Sequence, residues 1–443
     1  MSTRLLAAGF LIASAWIAWL SISFAVVARL LQAAIAISMA YVGYLAWHGH
    51  RSMQRARSGE AQSAPEPERL PWVTIIVPAR NEAVVIGDSV KRLLAVAYGT
   101  VGEPNYDIVV IDDGSTDDTG GLARAAAATD ASAAERVRVL CRETGEGPAT
   151  KGGVLAFATP FARGDVFAVL DADAEVAPNF LSRAMSAWQR DPDAAALQLQ
   201  RRASNPRGGW LVAAQDTEQL MDMAAQCGRR AAGGAAELRG NGMLVRREAL
   251  ARLGGWNGAA LTEDLDLATR LAAAGEHVAL APEVEVREEA AEELGVLWTQ
   301  RLRWAEGSLR RVLEHGPGLV ASGAVRTGRK LDFLAFSAEF LIPPLFVAAT
   351  AASLITIPLP QPADWTVPAS LFAGYGIGTF LLALAGLAAH GVRGRPLITS
   401  AIRGALFLSH WLLIVPAALA RIAIGPRTGS FLQTPRHARP SGR

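Results

Sequence analysis

The sequence predicts an α/β fold: a Rossmann-like, mostly parallel sheet flanked by transmembrane helices. Three observations predict it. Short apolar runs recur through the middle of the 443-residue chain, helical patterns fall between them, and long apolar stretches lie on either side. Strands that alternate with helices belong to a sheet covered on both faces. The strand-like runs are 73–77, 108–111, 137–140, 166–170 and 278–280, and the helical patterns are 83–97, 116–129 and 178–190. In such sheets ligands bind at the carboxyl ends of the strands.

The apolar stretches are read next. Residues 5–47 are broken only by Arg29 and Gln32, which is too long for a signal peptide and long enough for two spans. Arg51, Arg55 and Arg57 follow and favour the cytoplasm. Segments 333–357 and 366–390 are further spans. The loop between them carries Pro358, Pro360 and Pro362 and no basic residue, whereas the next loop carries Arg393 and Arg395. That asymmetry sets the first loop outside and the second inside. Segment 397–424 contains Arg403, His410, Pro416 and Arg421, and a basic tail with Arg427, Arg436, Arg439 and Arg443 follows. A third crossing would carry that tail outward, so the segment is read as interfacial or re-entrant. The expected division is 1–49 membrane segments, 50–70 linker, 71–295 α/β domain, 296–330 amphipathic helix region, 331–424 membrane or interfacial helices and 425–443 tail.

Composition excludes other classes. Hydrophobic residues make up 51%, so part of the chain belongs in lipid. A net charge of +2 without a basic stripe gives no case for nucleic acid. Cys141 and Cys227 form no motif, and the seven histidines are scattered, so thiol and zinc chemistry are not implied.

Six polar motifs follow the apolar runs. Pro78-Ala79-Arg80-Asn81-Glu82 and Asp112-Asp113-Gly114-Ser115 each follow a strand, where acceptors such as Glu82 and Asp113 can hold a nucleotide's base and ribose. The second reads equally as a turn before a helix cap. Lys151-Gly152-Gly153 opens a helix and suits a diphosphate, although a glycine-rich helix start is common. Asp171-Ala172-Asp173 ends the 166–170 run. On a strand, residues 171 and 173 share one face. Their repulsion calls for a cation, such as a hard divalent ion with phosphate oxygens on its far side; a solvated turn is the plainer alternative. Thr262-Glu263-Asp264-Leu265-Asp266 opens another helix. Its acids are either first-turn residues stabilised by the helix dipole or the source of a general base. Last comes Gln300-Arg301-Leu302-Arg303-Trp304. On a helix, Trp298, Leu302, Ala305, Leu309 and Val312 form an apolar stripe, with Gln300, Arg303 and Trp304 opposite. That face can close over a charged substrate, or belong to an ordinary surface helix.

In this order the motifs resemble family 2 glycosyltransferases of the membrane-integrated, inverting type. The matching positions are Asp113, Asp171 with Asp173, Asp264, and Gln300 with Arg303 and Trp304. The resemblance implies a GT-A catalytic domain, a UDP-sugar donor and Mg²⁺ or Mn²⁺ held at Asp171 and Asp173. It also implies Asp264 as the base. Glu82, Asp113, Lys151 and Asp171 fall on the donor side.

A closer resemblance covers nearly the whole chain. Glu237-Leu238-Arg239-Gly240-Asn241-Gly242, Gly254-Gly255-Trp256-Asn257, Arg303-Trp304-Ala305-Glu306-Gly307 and His410-Trp411-Leu412 are similar to the cyanobacterial β-monoglucosyldiacylglycerol synthases. That group carries Thr-Asp-Asp-Leu at 262–265 and an aromatic Trp-x-x-Thr where this chain has Phe431-Leu432-Gln433-Thr434. The resemblance implies transfer of glucose from UDP-glucose to diacylglycerol in the membrane, with the catalytic domain cytoplasmic, at a plasma or thylakoid membrane. A processive polysaccharide synthase is the alternative enzyme. A membrane scaffold without catalysis is the alternative of another class.

Overall fold

The computed structural model describes residues 3–58, 70–100, 103–129, 135–143, 145–205, 209–358 and 365–425. Most of the linker, the Phe431–Thr434 motif and the basic tail lie outside the described residues. The chain forms two compact units. One gathers Met1–Gln54, Ala213–Ala235 and Leu297–Arg427, and the other Arg55–Val212, Ala236–Val296 and Thr428–Arg443.

The second unit is built on strands β1 (Val73–Ala79), β2 (Gly99–Thr100), β3 (Glu103–Pro104), β4 (Tyr106–Asp113), β5 (Val137–Arg142), β6 (Val166–Val169), β7 (Glu175–Val176), β8 (Ala196–Ala203), β9 (Met243–Arg246) and β10 (Val278–Glu288). Eight of them form one sheet in the order β5-β4-β1-β6-β9-β8-β10-β7, and β2 and β3 pair separately. Neighbours run parallel at β5–β4, β4–β1, β1–β6 and β8–β10. They run antiparallel on both sides of β9 and at β7.

Period-two alternation divides the core. Val73, Ile75, Val77, Ile108 and Val110 face helices Ile86–Leu94, Thr119–Ala127 and Phe180–Gln189. Ile76, Val109, Ile111, Val169 and Val245 face helices Lys151–Ala158, Arg247–Arg252 and Glu263–Ala273. Strands buried on both faces read as continuous apolar runs, which is why these were legible. Each fully buried Ile, Val or Leu contributes about 1.5–3 kcal/mol.

β8 and β9 had no such signature. β8 carries Gln198 and Gln200, both fully buried. β9 is four residues long. Its direction matters for function. Because β9 runs antiparallel to β6, the loop that leads into it passes the carboxyl end of β6, and the Gly242 N–H donates to the Val169 carbonyl.

The first unit is helical. Among the described residues, five stretches are long and apolar enough to cross a membrane: Thr3–Ser23, Ala25–Arg57, Thr327–Thr356, Thr366–Ala389 and Gly394–Ile424. The first two of these stretches cover residues 5–47. Gly394–Ile424 comprises two helices, Gly394–Leu408 and Trp411–Ile424, parted at Ser409 and His410. Helix Ala25–Arg57 meets helix Gly209–Ala231 at glycines: a Cβ on Gly49 would lie 2.0 Å from the Ala224 carbonyl oxygen. Small residues permit this backbone contact. Nearby, buried Arg229 pairs with Asp332 at 2.9 Å, and Asp332 also accepts from Tyr41 Oη at 2.7 Å and from the Ala235 N–H.

Helix Leu294–Ala321 corrects the stripe read from sequence. Ala305 and Leu309 are buried, but Trp298 is exposed. The buried face also takes in Arg301, Glu306 and Arg311. These charges turn inward because partners remote in sequence receive them: Glu218 pairs with Arg301, and Arg421 with Glu306.

Candidate active site

The parallel register sets Asp113 opposite Arg142. Their side chains pair at 2.6 Å and both are buried. Arg142 also donates to the Glu146 and Pro148 carbonyls, which shapes the loop before Lys151. Asp113 Oδ2 is buried and accepts no hydrogen bond from the described residues, with Arg80 Nη1 3.9 Å away. The loop after β1 is pinned to the one after β4. Asn81, at φ 53°, receives the Thr116 N–H on its side chain, and the Glu82 N–H donates to Thr119 Oγ1. Arg80, Glu82 and Asp113 thus lie at adjacent strand ends.

Lys151 opens its helix after the cap Thr150, whose hydroxyl accepts from the Gly153 N–H. The glycines that follow serve packing. A Cβ on Gly152 would lie 2.6 Å from the Asn257 carbonyl oxygen, and one on Gly153 2.2 Å from that of Pro148. Lys151 Nζ sits 2.5 Å from Asp171 Oδ1, 3.0 Å from the Gly240 carbonyl and 3.8 Å from Glu263 Oε1. Burial works against its charge, but Asp171 and then Glu263 outweigh that and raise its pKa.

Asp171 and Asp173 stand in a turn, where the Ala174 N–H donates to the Asp171 carbonyl. Strand alternation therefore does not govern them, and the two acids meet different partners. Asp171 is partly exposed and faces Lys151; Asp173 is buried and accepts the Glu289 N–H at 2.9 Å. Among the described residues no group of three or more His, Cys, Asp or Glu forms a metal cage.

Glu263 and Asp264 occupy the first turn of their helix. Glu263 is buried, and burial pushes its pKa up to about 7 against the pull of Lys151. Asp264 is half-buried. Its pKa is raised, first by burial, while the Leu265 N–H, Lys151, Arg239 and Arg201 oppose the rise. A Cβ on Gly240, at φ +74°, would lie 3.2 Å from Asp264 Oδ2 and 3.7 Å from Lys151 Nζ, so Gly240 lets the backbone run close between base and cation.

The loop 237–242 supplies residues that the motifs did not single out. Buried Asn241 accepts the Asp171 N–H and donates to Glu288 Oε2 at 2.7 Å. Glu288 in turn holds Arg201 at 2.5 Å. Gln198 donates to the Asn241 carbonyl and accepts the Arg239 N–H. A run of Arg239, Gly240, Asn241 and Gly242 between buried segments was the available signal.

Gln300, Arg303 and Trp304 belong to the helical unit, each half-buried on helix Leu294–Ala321. Lys151, Asp171, Glu263 and Asp264 are brought together in the sheet unit, as are Glu82 and Asp113 at its neighbouring strand ends.

The sequence profile "Glycosyltransferase like family 2" matches residues 71–307. A β-monoglucosyldiacylglycerol synthase of Nostoc sp. is 32% identical over 82% of this chain and 76% of its own. The enzyme of that name from Synechocystis sp. is 30% identical over 85% of this chain and 76% of its own. Among solved structures, a mannosyltransferase of Pyrobaculum calidifontis in complex with GDP-Man and Mn²⁺ superposes with a TM-score of 0.60 at 23% identity, covering 89% of this chain and 99% of its own. That likeness concerns the GT-A fold. The chain belongs to glycosyltransferase-like family 2.

Proposed function

We propose that this protein is an inverting membrane glycosyltransferase that moves glucose from UDP-glucose to 1,2-diacylglycerol, giving β-monoglucosyldiacylglycerol. The observation that carries the chemistry is the Lys151 ammonium held between Asp171 and the Glu263–Asp264 pair. It sets a fixed cation beside a carboxylate whose basicity burial has raised. The similarity to the two synthases supports the acceptor, as do the five stretches apolar enough for lipid among the described residues.

Asp113 Oδ2, buried with an acceptor position to spare, suits an N–H of the uracil or a ribose hydroxyl. Glu82 lies on the same side. The Lys151 ammonium favours the donor diphosphate. The acceptor hydroxyl attacks the anomeric carbon as the bond to the UDP oxygen breaks. Its proton passes to the Asp264 carboxylate, and UDP leaves with the bonding pair. The carboxylates of Asp171, partly exposed, and of Asp173 are hard oxygen donors, and they would suit Mg²⁺ or Mn²⁺ that takes its remaining ligands from phosphate and water. When bound, such an ion would offset charge on the leaving diphosphate. In this reading Arg303 adds positive charge, Gln300 an amide, and Trp304 a flat apolar platform for the acceptor. The catalytic unit faces the cytoplasm, at a plasma or thylakoid membrane.

Membranes carrying the protein are incubated with labelled UDP-glucose and extracted with organic solvent. Label in a glucosyl-diacylglycerol supports the reading. Label confined to insoluble polymer overturns it in favour of a polysaccharide synthase.

A further inference from the structure

The segment that carries Gln300, Arg303 and Trp304 is anchored by a buried charge pair to which the chemistry above gives no part. Arg301 Nη2 lies 2.5 Å from Glu218 Oε2, with both side chains largely shielded from solvent. The Arg301 guanidinium stacks over the Trp304 ring, 4.2 Å from its centroid. The other Glu218 oxygen accepts the Trp411 indole N–H at 3.1 Å, and the Trp411 ring lies 5.8 Å from the same guanidinium. Three elements of the helical unit converge there: Gly209–Ala231, Leu294–Ala321 and Trp411–Ile424.

We propose that Glu218 is a positioning residue that fixes the orientation of Trp304 by holding Arg301 against its face, with Trp411 locking the carboxylate. Residues 301 and 304 are three apart on a helix and therefore neighbours on one face. A guanidinium is flat and stacks on an indole, and the Glu218 carboxylate 2.5 Å away holds its charge in place. A shielded arginine without its acid would seek water and abandon the ring. Glu218 thereby removes rotational freedom from Trp304, and the acceptor meets a platform already in place. This inference rests on the role given to Trp304 above.

The test uses the purified full chain in lipid nanodiscs and three variants: Glu218→Gln, the double change Glu218→Gln with Arg301→Gln, and Arg301→Lys. Melting temperature and the KM values for donor and acceptor are read for each. Acceptor KM is measured with whichever fraction, organic-soluble or insoluble, takes label from the wild type, so failure of the lipid reading leaves the test standing. Glu218→Gln alone melts lower. The double variant regains most of the melting temperature, because no charge is left unpaired. Its acceptor KM stays raised, by about tenfold, with donor KM unchanged. Arg301→Lys keeps the charge but loses the flat surface, and shows the same KM pattern. A double variant or an Arg301→Lys variant with wild-type acceptor KM overturns the proposal and leaves the pair a purely structural one.

Discussion

Lys151 Nζ lies 2.5 Å from Asp171 Oδ1, and the same ammonium reaches Glu263 and the Gly240 carbonyl. A lysine at the start of one helix therefore balances acids from the β6 turn and from a second helix. Replacing it with methionine leaves those carboxylates uncompensated. Asp171 is about a third exposed, so water screens much of the loss, and about 1–2 kcal/mol of stability should disappear. The Lys151→Met variant should melt lower and bind UDP-glucose at least about tenfold more weakly, as calorimetry can measure.

Asp264 behaves differently. Burial disfavours its charge, so a neutral isostere relieves a cost. Asp264→Asn should retain or exceed the wild-type melting temperature while transfer falls by at least about a hundredfold. Donor affinity should change little. Melting curves and transfer assays on the same preparation separate these effects.

Glu263 should leave a mark on the pH dependence of stability. Its folded pKa, about 7, lies above its unfolded value. The protonated acid is the form the fold prefers, so its contribution is complete below the ordinary carboxylate range and is lost as pH rises through about 7. Glu263→Gln should melt higher than wild type at pH 8, with the difference shrinking towards pH 4. A difference of the same size across that range would mean that Glu263 stays charged in the fold.

Asp113 is held by Arg142 and keeps one oxygen that accepts no hydrogen bond from the described residues. A hydrogen bond to a charged group contributes about 1.5–3 kcal/mol. Asp113→Ala should therefore weaken UDP binding by about tenfold or more and lower stability, since Arg142 is left buried and unpaired. A UDP titration followed by calorimetry checks the first effect and thermal unfolding the second.

Much of this candidate site could be read from the chain, and the remainder has physical reasons for being hidden. Asp113, Lys151, Asp171 and Asp264 follow apolar runs or open helices, so local pattern located them. Asn241 and Gln198 look like ordinary polar residues, and their partners lie far away in sequence. β8 was missed because its buried amides break the apolar run. The 171–173 pair was located correctly at a strand end, but the turn begins there and strand alternation stops. On helix Leu294–Ala321 periodicity alone would turn Arg301 and Glu306 outward. Glu218 and Arg421, remote in sequence, draw them in.

The central claim is a base-assisted glucosyl transfer to a membrane lipid. Its most direct test is the product formed by wild type and Asp264→Asn in diacylglycerol-containing vesicles supplied with labelled UDP-glucose. The wild type should yield β-linked glucosyl-diacylglycerol, and the folded, donor-binding variant none. Lipid product from Asp264→Asn at the wild-type rate, or wild-type label found only in polymer, would contradict it.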